Sequence, residues 1–179
     1  MNPMAQEALV ARLARTLREN DSWTGETHIQ KATYLLEVLA DVPFDFDFIL
    51  YKHGPFSFEL RDELGNMQAD RYLSREPQDP PYGPRFSVTE SGRQLEERFA
   101  KTMARYGSKV DWIAAQLRDK GVASLERLAT ALWVTTHEGD GLGLEERVEL
   151  LRGIKRHVSE ENAAQAVREI DELLASAPS

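Results

Sequence analysis

Apolar positions along this chain follow two periods, and each change of period marks a change of element. Leu9, Leu13 and Leu17 recur every four residues and predict a first helix ending near Asn20. The polar run Asp21-Ser22-Trp23-Thr24-Gly25 then reads as a linker. From about Glu26 to Ala40 the apolar residues Ile29, Ala32, Leu35, Leu36, Val38 and Leu39 cover more than one helical face, which predicts a central helix. The period then drops to two: Phe44, Phe46 and Phe48 alternate with Asp45 and Asp47, as in a strand with one apolar and one charged face. The segment Tyr51-Lys52-His53-Gly54-Pro55-Phe56-Ser57 turns that strand into a helix. Gly54 permits positive φ, Pro55 fixes its own φ, and Ser57 supplies an N-cap oxygen. Over residues 57 to 69, Leu60, Leu64 and Met67 share one face and leave Glu59, Arg61, Asp62 and Glu63 in water.

A hairpin is expected next, with strands near residues 71 to 75 and 84 to 88. The intervening tip holds Pro77, Pro80 and Pro81, with Pro84 at the start of the returning strand, and proline cannot donate to a ladder. The tip should therefore project as an exposed wing. Thr89 is placed to cap a helix carrying Leu95, Phe99, Met103 and Tyr106. Ser108 and Asp111 have capping-box spacing before the stripe Val110, Ile113, Ala114, Leu117, so a loop is expected near residue 107. Ser124 opens a segment with Leu125, Leu128, Ala129, Leu132 and Trp133, and the glycines between Glu138 and Gly143 end it. Ser159 precedes a last helix with Ala163, Val167, Ile170 and Leu174 on one side. The fold class read from this order is mainly α with a small β-hairpin: a winged-helix-like core with additional C-terminal helices. One domain spans 1–179, divided into an N-terminal helix (1–20), the core (26–106) and the C-terminal helices (108–176).

Two short motifs carry a likeness. The run His28-Ile29-Gln30-Lys31-Ala32-Thr33-Tyr34-Leu35-Leu36, the Lys52-to-Ser57 turn and the Leu60-to-Leu73 segment resemble the YwgA-like and Panacea-domain group of small bacterial and phage proteins. That group typically shows a Leu-Gln-Lys helix followed by a Tyr-Gly-Pro turn. Leu125 to Leu132 is similar to its closing helix, so the resemblance runs over roughly residues 27 to 175. It implies a mostly helical, winged-helix-like, non-enzymatic protein of a kind associated with antitoxins. Ile29 stands where leucine is usual, and His53 where an aromatic is usual.

Composition narrows the chemistry. At 179 residues the chain is long enough to bury a core without staples. It contains no cysteine, which fits a reducing cytoplasm and excludes zinc ribbons, iron–sulfur sites and thiol nucleophiles. Glu7, Arg12, Arg15, Arg18 and Glu19 interrupt the N-terminal apolar pattern, unlike a secretory signal, and no apolar run is long enough for a membrane span. The formal net charge is −8, and phosphate contacts dominate DNA affinity, so the balance opposes simple DNA binding. The exposed face of the 57–69 helix repeats the sign, with three acids against Arg61. His137-Glu138-Gly139-Asp140-Gly141 resembles a calcium loop only faintly: with Asp140 and Gly141 at the fifth and sixth positions, Thr136 and Arg147 would fall where carboxylates are needed. Neither a nucleophile pair nor a phosphate-cradling glycine motif occurs locally. Trp23 and Trp112 lie off the best stripes, whereas Trp133 extends one.

The function expected from these features is a non-enzymatic, cytoplasmic binding module of antitoxin or regulator type, using no cofactor or metal. Its partner is expected to be a protein, a cognate toxin in the antitoxin case. The candidate contact residues are Lys52, His53, Gly54, Pro55, Phe56, Ser57, Glu59 and Arg61, joined by Arg71, Arg75 and Arg85, the basic residues that folding could gather beside the wing. The alternative is a homodimeric winged-helix transcription regulator that binds operator DNA.

Overall fold

Asn2 accepts the Ala5 amide proton at 3.3 Å and Pro3 sets the first helical φ, and the chain enters α1 (Pro3–Glu19). The structure, a computed structural model, describes residues 1–138 and 141–178. α2 (Glu26–Ala40) follows, with Ile29, Ala32, Leu35 and Leu36 fully buried. A first hairpin, β1 (Ile49–Tyr51) and β2 (Gly54–Phe56), leads into α3 (Phe58–Ala69). A second hairpin, β3 (Leu73–Glu76) and β4 (Arg85–Val88), pairs Leu73 with Val88 and Glu76 with Arg85. Then come α4 (Glu90–Arg98), α5 (Ala100–Gln116), α6 (Val122–Trp133) with a π-helical turn over Val134–Glu138, α7 (Leu144–Ile154) and α8 (Glu160–Ser176). The protein is mainly α with small β-hairpins, eight helices being present among the described residues.

α1 and α2 form the centre. α1 packs against α4, α5 and β4, whereas α2 packs against α5, α6 and β2. α6 carries the second half of the molecule by packing on α8 as well as on α2. Leu60, Leu64 and Met67 are buried as the periodicity requires, and Ser57 caps α3 through the Leu60 amide at 3.2 Å. Thr89 caps α4 through the Gly92 amide at 3.1 Å.

Several expectations need correction. Residues 44 to 48 form no strand, although Phe44 and Phe46 are buried and the intervening aspartates exposed. Their amides go elsewhere: Phe44 N–H to the Val42 carbonyl, Asp45 N–H to the Gln6 side chain at 2.7 Å, and Asp47 N–H to the Glu59 carboxylate at 2.6 Å. Strand pairing begins at Ile49, so the Lys52-His53 turn lies within a hairpin rather than between a strand and a helix. The helix after Thr89 breaks at Phe99 (φ −105°, ψ 38°), dividing it into α4 and α5, both of which pack on α1. No loop occurs near residue 107, because Gly107 is buried inside α5 and Asp111 pairs with Arg12 of α1 at 2.7 Å instead of capping. Finally, α6 starts at Val122, two residues before Ser124, and α7 had no counterpart in the periodicity reading. Of the calcium-like run, Gly139 and Asp140 lie outside the described residues.

Candidate partner-binding site

The Lys52-His53 turn is held from behind by α2 and α6. Tyr51 pairs with Gly54 and Leu50 with Pro55 across the hairpin. Gly54 has φ +90°, and a Cβ there would lie 2.6 Å from Thr130 Oγ1 of α6, so the position requires glycine for both conformation and space. Pro55 has no N–H, and its carbonyl accepts from Lys31 Nζ at 2.7 Å. One position earlier on α2, Gln30 engages both backbone groups of Ser57: its Nε2 donates to the Ser57 carbonyl at 2.8 Å, and its Oε1 accepts the Ser57 N–H at 3.0 Å. The Gln-Lys pair is therefore a template for the Gly-Pro turn. With these bonds made, the backbone polar groups of buried Pro55 and Ser57 do not compete for partners in solution.

Charge beneath the turn is unusual. Lys31 is 1% exposed and Lys155 3%. Lys155 Nζ lies 3.3 Å from Glu126 Oε2, while the other carboxylate oxygen is 3.2 Å from His53 Nδ1. Burial pushes the Lys31 ammonium down to about 8, with Lys155 adding to the shift and Glu126 opposing it. One carboxylate thus serves two buried lysines and the hairpin tip.

The outer surface is apolar and aromatic. Ile49, Tyr51 and Phe58 are exposed at 44, 48 and 39% of their area, and Phe56 is half-buried. Phe56 and Phe58 meet edge to face with ring centres 5.1 Å apart, and Tyr51 lies 5.5 Å from Phe58 and 6.0 Å from Phe56. The Arg61 guanidinium sits 5.0 Å above Phe58 and donates to Asp62 at 3.1 Å.

The residues singled out from the sequence divide into two places. Lys52 and His53 form the exposed tip of the first hairpin, Phe56 belongs to the aromatic patch, Arg61 lies over Phe58 and Glu59 accepts the Asp47 N–H, with Gly54, Pro55 and Ser57 buried behind them. Arg71 is exposed at the α3-to-β3 link with φ +63°. Arg75 and Arg85 lie on the second hairpin beside Trp23, where Arg85 Nε donates to the Trp23 carbonyl at 3.0 Å. Sequence reasoning missed Ile49, Tyr51 and Phe58 as surface residues, and Gln30, Lys31, Glu126 and Lys155 as their support. The signal for the first three was the aromatic density between Phe44 and Phe58. Nothing local could have linked Glu126 to His53, since 73 positions separate them.

Among the described residues no cluster of histidine and acidic side chains has the geometry to hold a metal ion, and no helix is long and apolar enough to cross a membrane. Compared with known proteins, the chain matches no family model, and no curated protein matches it.

Proposed function

We propose that this protein is a non-enzymatic binding module, of antitoxin or regulator type, that engages a protein partner through the β1–β2 turn and the start of α3. The observation carrying this reading is the cluster of exposed Tyr51 and Phe58 with half-buried Phe56, the Arg61 guanidinium lying over Phe58. Aromatic and arginine side chains are the residues that most often anchor protein interfaces. A patch on an anchored turn loses little conformational freedom on binding, because Lys31 and Gln30 have already ordered the backbone beneath it. The likeness to the Panacea-domain group rests on these same Gln-Lys and Gly-Pro motifs and supports the antitoxin direction, in which the partner is a toxin. The absence of cysteine fits a cytoplasmic setting.

The test is capture of partners from native lysate by wild type, Tyr51→Ala, Phe58→Ala and Arg61→Glu, each with a melting curve. All three side chains are exposed, so melting should move little while capture is lost. Retention of every wild-type partner by all three variants would overturn the reading.

The second reading is a winged-helix regulator. It is favoured by the order of α3 and the β3–β4 hairpin, with prolines in the projecting tip and Arg75 and Arg85 beside it. The acidic outer face of α3 weighs against it.

A further inference from the structure

We infer that two copies of this chain pair through the open edges of their β1 strands, antiparallel about Leu50, so that their first hairpins form one four-stranded sheet. The pairing uses the strand edge and leaves the aromatic face outward. It therefore goes beyond the partner-binding role proposed for that face, and the two are measured separately.

The hairpin has one sealed edge and one open edge. Pro55 lacks an N–H, so Leu50 and Pro55 cannot exchange bonds; the ladder bonds fall on Ile49–Phe56 and Tyr51–Gly54, and the backbone groups of Leu50 and Pro55 point away from the hairpin. On the β2 side the outward Pro55 carbonyl is taken by Lys31, and both backbone groups of Ser57 by Gln30. On the β1 side nothing answers. α2 and α6 lie against β2, and among the described residues neither the N–H nor the carbonyl of Leu50 has a hydrogen-bond partner. β1 carries no proline, so its donors and acceptors remain available to another strand.

The edge itself names the occupant. Its first end is acidic, where Glu59 accepts the Asp47 N–H at 2.6 Å, and its last end carries Lys52 and His53. Antiparallel pairing of two such edges brings opposite charges together. With Leu50 opposite Leu50, two mutual N–H to carbonyl bonds form across a twofold axis. On the outer face this register sets Ile49 against Tyr51 and Asp47 against His53 of the second copy, each pair occurring twice. All four side chains are exposed in the single chain. Exposure alternates from Phe46 to Tyr51, so the extended course begins before the first paired residue and includes Asp47. Sliding by two residues would set Asp47 against Tyr51, or His53 against Ile49, a polar side chain against an apolar one. The joined sheet presents Tyr51, Phe56 and Phe58 of both copies on one face. So few residues a side make a small interface, and the dimer belongs to the weak class.

The experiment is sedimentation equilibrium of the full chain from about 5 µM to 1 mM, with a melting curve for each variant. Wild type should show a reversible monomer–dimer equilibrium with Kd between about 10 and 500 µM, and hydrogen exchange at the Leu50 amide should slow as protein concentration rises. Leu50→Pro removes the central bonds while β2 loses none, and should weaken association at least about tenfold. Asp47→Lys should do the same by opposing like charges, and adding His53→Asp to it should restore association. Rescue of that kind cannot come from a folding defect, so the charge pair decides if the proline variant melts early. A chain still monomeric at 1 mM overturns the inference. So does a dimer that Leu50→Pro or Asp47→Lys leaves as tight as before, or a double variant that associates no better than Asp47→Lys.

Discussion

Lys31 Nζ donates to the Pro55 carbonyl at 2.7 Å, tying the middle of α2 to a hairpin 24 positions away. The bond satisfies an acceptor that β1 cannot reach, but it places an ammonium where water is excluded. In the folded state Lys31 titrates at about 8, in the unfolded chain near its ordinary 10.5. Between those values the unfolded state binds more protons, so stability rises with pH through this window. Below pH 8 the destabilisation by the charged form is fully present, on the order of 3 kcal/mol. Urea unfolding should show wild type gaining about 2 kcal/mol relative to Lys31→Met between pH 7.5 and 9.5. Parallel pH profiles for the two proteins would show that Lys31 is not the group responsible.

Gly54 is the point where the hairpin touches α6, and any side chain there meets two obstacles. The backbone is at φ +90°, and a Cβ would approach Thr130 Oγ1 to 2.6 Å. Gly54→Ala should cost about 2 kcal/mol and Gly54→Val about 3 kcal/mol or more, because β-branching adds bulk at a left-handed position. In a Thr130→Ala background the alanine variant should recover part of its loss, leaving the conformational cost. Strict additivity of the two changes in a denaturation series would remove the contact with Thr130 from the explanation.

Which features were legible in the sequence follows from how local their causes are. The Ser57 and Thr89 caps, the Leu60-Leu64-Met67 stripe and the presence of the β3–β4 hairpin each depend on residues close in the chain. The Phe44-to-Phe48 alternation was correct for burial and wrong for pairing, since side chains of Gln6 and Glu59 take amides that a ladder would have used. The break at Phe99 follows no local breaker, and both halves, α4 and α5, pack on α1. The support of the candidate site escaped for the same reason. Gln30 and Lys31 look like ordinary polar helix residues until Pro55 and Ser57 fold against them.

Glu7 of α1 gives a second pH signature of opposite sense. Burial, followed by the Glu63 and Asp70 carboxylates at α3, pushes its carboxyl up to about 7. The folded state therefore holds the proton longer than the unfolded chain, and stability from this group is lost as pH rises from about 4.5 through 7. Glu7→Gln should stabilise the protein by about 1 kcal/mol at pH 8, a figure discounted for solvent contact. At pH 4 the two proteins should unfold alike. Thermal melts at both values check this, and equal melting at pH 8 would refute it.

The two readings of function separate on nucleic acid. The outer face of α3 presents Glu59 and Asp62 fully and Glu63 in part, and its one cation, Arg61, is engaged by Asp62 and Phe58. An arriving phosphate backbone meets three carboxylates and an arginine that must first leave its partners. Non-specific binders reach about 10⁻⁴ to 10⁻⁶ M at physiological salt by neutralising several phosphates at once. This face can neutralise none without rearrangement, so anisotropy titration with random duplex DNA should show no saturation up to about 100 µM protein, weaker than most of that range. Asp62→Asn combined with Glu63→Gln should leave folding intact and raise the affinity, since it frees Arg61 and removes two like charges. Micromolar binding by wild type, falling steeply as salt is raised, would instead identify a basic surface elsewhere, with Arg71, Arg75 and Arg85 the first positions to replace, and would make the regulator the better reading.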